Sequence, residues 1–240
     1  SEHLNAEGIE HLYRQRHLNA KHSNAEGIER EAITPKAIEP FNFKIMESLN
    51  TCNWPGNDPL MIEYHDKEWG VPLHDDQKLF EFMILDAFQA GLSWKTILHR
   101  REGFRAAFDN FDVVKISKYG EDKIQALMQD SRIIKNQLKI RSTVTNAQAF
   151  LRVQEEFGTF DKYIWQFTGG TTKYNHWTDL RQIPAKSAES DAMSKDLIKR
   201  GFKFVGSTIC YAFMQAAGMV NDHMVYCSRH PMNVEVKLPY

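Results

Sequence analysis

The sequence is poor in several things, and each shortage excludes something. No apolar run approaches the roughly 20 residues that a membrane-crossing helix needs, and the N-terminus has no apolar signal-peptide core. A cytoplasmic protein without a membrane partner is expected. Only three cysteines occur in 240 residues, too few to staple a chain of this length. Reduced thiols or metal ligands fit better. Charge of one sign is also missing, since 30 basic residues face 31 acidic ones for a net charge of −1. Any contact with nucleic acid must come from local basic patches. Strand-like alternation never persists beyond a few residues.

Helical periodicity is plentiful. "DDQKLFEFMILDAFQAG" has an acidic start and a long apolar face. "TILHRREGFRAAF", "GEDKIQALMQ", "RIIKNQLKIRSTVTNAQAFLRVQEEFG", "TFDKYIWQF", "ESDAMSKDLIKRG" and "GSTICYAFMQAAG" continue the pattern, with glycines and Pro184 between them. An all-α fold is expected, with the helices sharing one core over residues 45–240. Residues 1–44 differ. "NAEGIE" occurs there twice, at 5–10 and 24–29, in a polar context ending at Pro35 and Pro40. Two copies make no solenoid; an appended arm or leader is expected.

Two pairs of metal-ligating residue types lie near the ends of the compact region. Cys52 and His65 open it, and His223 and Cys227 close it four residues apart, which on a helical turn would share a face. Two thiolates and two imidazoles suit tetrahedral zinc, and four protein ligands would leave no open position, so such a zinc would be structural. Cysteines are equally at home as small buried hydrophobes, and spacing alone leaves both readings standing. Cys210, in "STICYAFMQ", reads as core.

Two windows are locally basic: "SRIIKNQLKIR" (Arg132, Lys135, Lys139, Arg141) and "KDLIKRGFKF" (Lys195, Lys199, Arg200, Lys203). Each reads as a solvated face or as a nucleic-acid contact. The second runs into "GFKFVGSTIC", a helix, a glycine-bounded turn and a second helix. Gly201 suits a helix end and Gly206 a close backbone approach at the next helix start. Amides at a helix N-terminus bind phosphate, so Lys199, Arg200, Lys203 and Gly206 are candidate contacts to a DNA backbone. The same pattern also serves as a plain connector.

Together "CNWPGNDPLMIEYHDKEWGVP", "LFEFMILDAFQAGLSW", "SRIIKNQLKI", "KRGFKFVGSTICYAFMQAAGMVNDH" and the final H-x3-C resemble the type I DNA-3-methyladenine glycosylases, a family of helix-hairpin-helix enzymes. The resemblance covers about Cys52 to Cys227. It implies a structural zinc on Cys52, His65, His223 and Cys227. It also implies a hydrolase that acts on double-stranded DNA containing alkylated bases, flipping 3-methyladenine out and cutting its N-glycosidic bond; the sequence gives no sign of oligomerisation, so a monomer is expected by default. Trp94 would stack on the base, Tyr64 would hydrogen-bond and pack, Trp54 and Trp69 would line or support the pocket, and Asp86 would recognise the base and be the key catalytic acid.

The sequence departs from the family at three positions near that pocket. Asp86 stands where the family has glutamate, Ala87 where glycine is common, and Met61 where a tyrosine is common. These departures motivate an alternative, a non-catalytic binder of damaged or modified bases on the same scaffold. Asp222, in "VNDH", occupies the place of the wider superfamily's catalytic aspartate; next to His223 it reads better as orienting the metal site. Thr208 lies near the slot that bifunctional relatives fill with a lysine, so hydrolysis without strand cleavage is expected.

Overall fold

Caps mark where most of the helices start. In the computed structural model, which describes residues 51–233, helix α1 (Pro59–Lys67) begins after Asp58, whose carboxylate accepts from the amides of Leu60 and Met61. Asp75 caps α2 (Asp76–Gln89) and Ser93 caps α3 (Trp94–Leu98). Then follow α4 (Arg101–Ala107), α5 (Val113–Ile116) and α6 (Glu121–Gln129). Asn136 caps α7 (Gln137–Phe157), Thr159 caps α8 (Phe160–Trp165), and Ser187 and Ser190 cap α9 (Ala188–Lys199) reciprocally. The last helix is α10 (Ser207–Ala216). The expected arm, residues 1–44, lies outside the described residues.

The all-α expectation holds, with one small addition. Lys173–Tyr174 (β1) and Val220–Asn221 (β2) form a two-residue parallel bridge. Helix α2 is the centre of the fold. Every residue from Leu79 to Phe88 is buried, as befits a helix wrapped on all sides, and α3, α7, α8 and α10 pack around it. Two boundaries differ from the periodicity. "TILHRREGFRAAF" makes two helices, α3 and α4, because the chain turns at His99–Arg100. That turn lets buried Arg101 reach Glu81 and Glu68. Helix α7 starts at Gln137 rather than at Arg132. The Asn136 side chain accepts from the Lys139 amide there, the competition with helix that favours asparagine at a start.

Candidate functional site

Helix α2 carries Asp86 on a face turned toward a cavity of about 420 Å³. Tyr64 comes from α1, Gln89 from α2, Trp94 from the start of α3, and Ala212 and Gln215 from α10. Trp54, Trp69, Leu180 and Ile183 complete the lining. The volume suits a single small ligand. The walls are aromatic: Tyr64 and Trp94 rings lie 5.0 Å apart, as do Trp54 and Trp69. The five residues expected to form a base pocket thus line one cavity. Leu180, Ile183 and Gln215 were not foreseen, because no local pattern marks a loop that folds over a distant helix.

Asp86 is 2% exposed and its Oδ2 has no hydrogen-bond partner. Among the described residues only three buried side-chain polar atoms lack a partner. They are Asp86 Oδ2, Trp54 Nε1 and Trp94 Nε1, and all three belong to residues lining this cavity. Native interiors rarely leave such atoms unpaired, and when they do the site calls for a functional reason. Burial alone pushes the Asp86 carboxyl well above its usual range. Burial, then the Asp86 charge, pushes the Tyr64 hydroxyl up as well, so it remains a proton donor. The buried arginine that could have partnered Asp86 is engaged elsewhere: Arg101 donates to Glu81 and Glu68. Met61 and Ala87 are buried in the core and do not line the cavity. Of the three departures, only Asp86 reaches it.

Cys52, His65, His223 and Cys227 converge, all buried, with their ligand atoms within 4.8 Å of one another. His223 Nδ1 lies 3.1 Å from His65 Nε2, 3.5 Å from Cys227 Sγ and 3.8 Å from Cys52 Sγ, and Cys227 Sγ lies 3.6 Å from His65 Nε2. Ligands on a tetrahedral zinc stand about 3.3 Å (N to N), 3.6 Å (N to S) and 3.8 Å (S to S) apart, from the usual bond lengths. The donor chemistry also fits. His223 Nε2 donates to the Trp69 carbonyl at 3.0 Å, which leaves the Nδ1 lone pair facing the cluster. His65 Nδ1 lies 2.7 Å from Asp66 Oδ1, which turns Nε2 inward in the same way. Backbone amides of Met224 and Arg229 donate to the two sulfurs. The Cys227 thiol is pulled well below its usual range, first by its hydrogen bond with Cys52. The group can therefore hold a divalent metal. The segment from His223 to Cys227 is a turn rather than helix. Trp69 lines the cavity and its ring lies 4.7 Å from that of His223, and Gly70, at φ +75°, leaves room for the His223 ring that a Cβ would crowd at 3.2 Å.

Asp222 does not orient this cluster, contrary to the expectation. Its carboxylate accepts four hydrogen bonds: Asn175 Nδ2 (2.6 Å) and Trp177 Nε1 (2.8 Å) on Oδ1, Tyr211 OH (2.8 Å) and Gln215 Nε2 (2.7 Å) on Oδ2. It ties α10 to the loop that leads to Leu180 and Ile183.

The hairpin between α9 and α10 forms as expected, but its charges divide. Gly201, at φ +95°, closes α9 by giving its amide to Ile198, with Phe202 giving its own to Leu197. Lys199 and Lys203 are exposed. Gly206 precedes α10 without any side-chain cap, and a Cβ there would meet no protein atom within 4 Å. Arg200 is different. It pairs with Glu156 and Asp196, each at 2.7 Å, and lies over the rings of Phe157 and Tyr163. Those partners hold it on the helices instead of offering it to a phosphate. The first basic window divides likewise: Arg132 pairs with Asp130, Arg141 with Glu121, and Lys139 is buried, while Lys135 is exposed. No helix of the described residues is long and apolar enough to cross a membrane.

This helical fold, with an aromatic cavity around one unpaired acid and a two-thiol, two-imidazole cluster beside it, has close parallels. A family model described as "Methyladenine glycosylase" matches residues 54–230. DNA-3-methyladenine glycosylase 1 of Escherichia coli (strain K12) is 47% identical over 185 residues, 77% of this chain and 99% of that protein. DNA-3-methyladenine glycosylase of Haemophilus influenzae is 47% identical over 176 residues, 73% and 95% of the two chains. A crystal structure of 3-methyladenine DNA glycosylase I superimposes with a TM-score of 0.73 at 47% identity, covering 75% of this chain and all of that one. The Staphylococcus aureus enzyme, solved to explain its recognition of 3-methyladenine, does so at 0.74 with 32% identity over 76% and 97% of the two chains. The chain belongs to the methyladenine glycosylase family.

Proposed function

We propose that the protein is a monofunctional DNA glycosylase that hydrolyses the N-glycosidic bond of 3-methyladenine flipped out of duplex DNA. Family membership and the names of the relatives make it a hydrolase of N-glycosyl bonds. The observation that carries the finer reading is the unpaired Asp86 oxygen, buried among aromatic rings. An adenine methylated at N3 in DNA is cationic. It supplies the countercharge that lets the buried Asp86 carboxyl ionise, its proton passing to solvent, and the exocyclic amino group of the base can then donate to Asp86. Aromatic faces such as Trp94 favour a cationic ring over a neutral one.

The positive charge already weakens the bond to the sugar, so no acid is needed to protonate the leaving base. Water attacks C1′, the bonding pair goes to the base, which leaves neutral, and the proton lost by the water passes to solvent. Asp86 binds and orients the base through this step, with Tyr64 as a packing and donor partner. No lysine lines the cavity among the described residues, which supports hydrolysis without a Schiff base. Cys52, His65, His223 and Cys227 would hold a zinc ion; its role when bound is to fasten the two ends of the fold. Lys199, Lys203 and the amides after Gly206 would meet the DNA backbone, which positions the duplex without reading sequence. Residues 45–240 would work as one unit, as a monomer in the cytoplasm.

The alternative, a binder without activity, now rests on the shortened acid alone, since Met61 and Ala87 lie away from the cavity. Base release decides between them. Purified protein is incubated with methylated duplex DNA and the freed bases are separated by chromatography. Release of 3-methyladenine is expected. No release from protein that carries zinc and binds DNA would overturn the reading in favour of the binder.

A further inference from the structure

The α9–α10 turn is held in a conformation it would not keep by itself. Phe204 sits at φ +56°, a region that a bulky residue with a Cβ occupies only when its surroundings impose it. Three side chains impose it. Ser194 of α9 and Cys210 of α10 both donate to the Val205 carbonyl, at 2.7 and 3.2 Å. The third is Asn146, from the middle of α7 and 57 residues away in the chain. Its Oδ1 accepts from the Lys203 amide at 2.8 Å and its Nδ2 donates to the Lys203 carbonyl at 3.0 Å. Asn146 is fully buried, and its amide reads both polar groups of one backbone residue, as a neighbouring strand would. Two turns earlier on α7, Lys139 binds the end of α2 beside the cavity. One rigid helix therefore holds the cavity side at Lys139 and the turn at Asn146.

We infer that Asn146 is a positioning residue for DNA binding: it fixes the backbone of Lys203 so that the Lys203 ammonium and the open amides of α10 present together to the phosphate backbone. Asn146 touches neither the cavity nor any charge that could meet DNA, so it acts only through the turn. The inference rests on the reading of the protein as a DNA glycosylase.

The test uses the full chain and two substitutions. Asn146→Ala removes both hydrogen bonds. Asn146→Asp keeps the size and the acceptor for the Lys203 amide but repels the Lys203 carbonyl, and it serves where the alanine variant does not fold. Two quantities are read at a temperature where circular dichroism shows wild type and variant equally folded. One is the Kd for an undamaged duplex. The other is the single-turnover rate of 3-methyladenine release at saturating protein. Kd should rise about tenfold, the loss expected for one such pair of bonds, while the saturating rate stays within about twofold. An unchanged Kd overturns the inference, and so does a saturating rate that falls while Kd holds. If wild type releases no base but Kd still rises in the variant, the glycosylase reading fails while the positioning role stands.

Discussion

Lys139 caps the helix that carries Asp86: its ammonium donates to the carbonyls of Phe88 at 2.8 Å and Ala90 at 2.6 Å. This explains why a buried helix breaks at "AGLSW". The last carbonyls of α2 have no partner within the helix, and Lys139 supplies both a donor and a positive charge at the negative end of the dipole. The chain is then free to turn at Ala90, and Ser93 starts α3 with Trp94 in its first position.

Lys139→Met keeps the aliphatic stem and removes the ammonium. It should destabilise the fold by about 1–3 kcal/mol, the cost of leaving buried carbonyls unpaired. The melting temperature should drop several degrees, and base release should slow because the turn from Gln89 to Trp94 loosens. Calorimetry with single-turnover release checks this; an unaltered melting temperature would show that water replaces the cap.

Asp86 should cost the protein stability at neutral pH. Its folded pKa is raised by burial above the ordinary 3.8. Below that value both states are protonated and nothing is lost. As pH rises past it, the unfolded chain ionises while the folded one resists, so unfolding gains, up to the folded pKa. Asp86→Asn removes that cost. It should melt higher than wild type at about pH 8, with the gap closing as pH falls toward the ordinary carboxylate range. Its base release should nearly vanish while zinc content is unchanged. Asp86→Glu restores the family's side chain and should match or exceed wild-type release. Normal release by the asparagine variant would remove Asp86 from base recognition.

Lys203 and Arg200 should separate cleanly, although they lie three residues apart. Lys203→Ala should weaken DNA binding and lower the salt slope of log K by about one. Arg200→Ala should leave that slope alone and lower stability, because Arg200 already serves Glu156, Asp196 and two aromatic rings. Salt titrations of both variants with one duplex, alongside thermal melts, check the pair.

How far the sequence could be read follows from this contrast. The helices were legible because each has a periodic face and most have a cap. The two ligand pairs, Asp86 with Trp94, and the glycine-bounded hairpin stood in ordered motifs. The residues that went unread owe their roles to distant partners. Asn146 and Lys139 fall among residues that read as an ordinary helix, and nothing local says that they face carbonyls 57 and 49 residues away. Arg200 looked free because Glu156 is 44 residues upstream, although its other partner, Asp196, stands one helical turn before it. Leu180 and Ile183 are unremarkable until a loop folds over a cavity. Periodicity tells which face is buried, but not which polar group waits there.

Metal removal should uncouple the ends of the fold. Dialysis against a strong chelator should lower the melting temperature sharply and release about one zinc per chain, measured by atomic absorption. Cys227→Ser should reproduce the loss. Retained stability in metal-free protein would mean that the cluster is held by packing alone.

Asp222 provides the sharpest separation of cavity from metal. Four donors converge on its two oxygens, from Asn175, Trp177, Tyr211 and Gln215, and its carboxylate makes no hydrogen bond to a ring of the ligand cluster. Asp222→Asn would set an NH2 group against two of those donors, so the network loses its charge and holds together only if Tyr211 and Gln215 turn to accept. Stability should fall by about 2–4 kcal/mol, at the severe end for a single substitution. Base release should fall with it, because Gln215 and the loop bearing Leu180 and Ile183 both line the cavity. Zinc content should stay near one per chain. If instead zinc is lost while the cavity residues still bind base, Asp222 would belong to the metal site after all, despite the geometry of its partners.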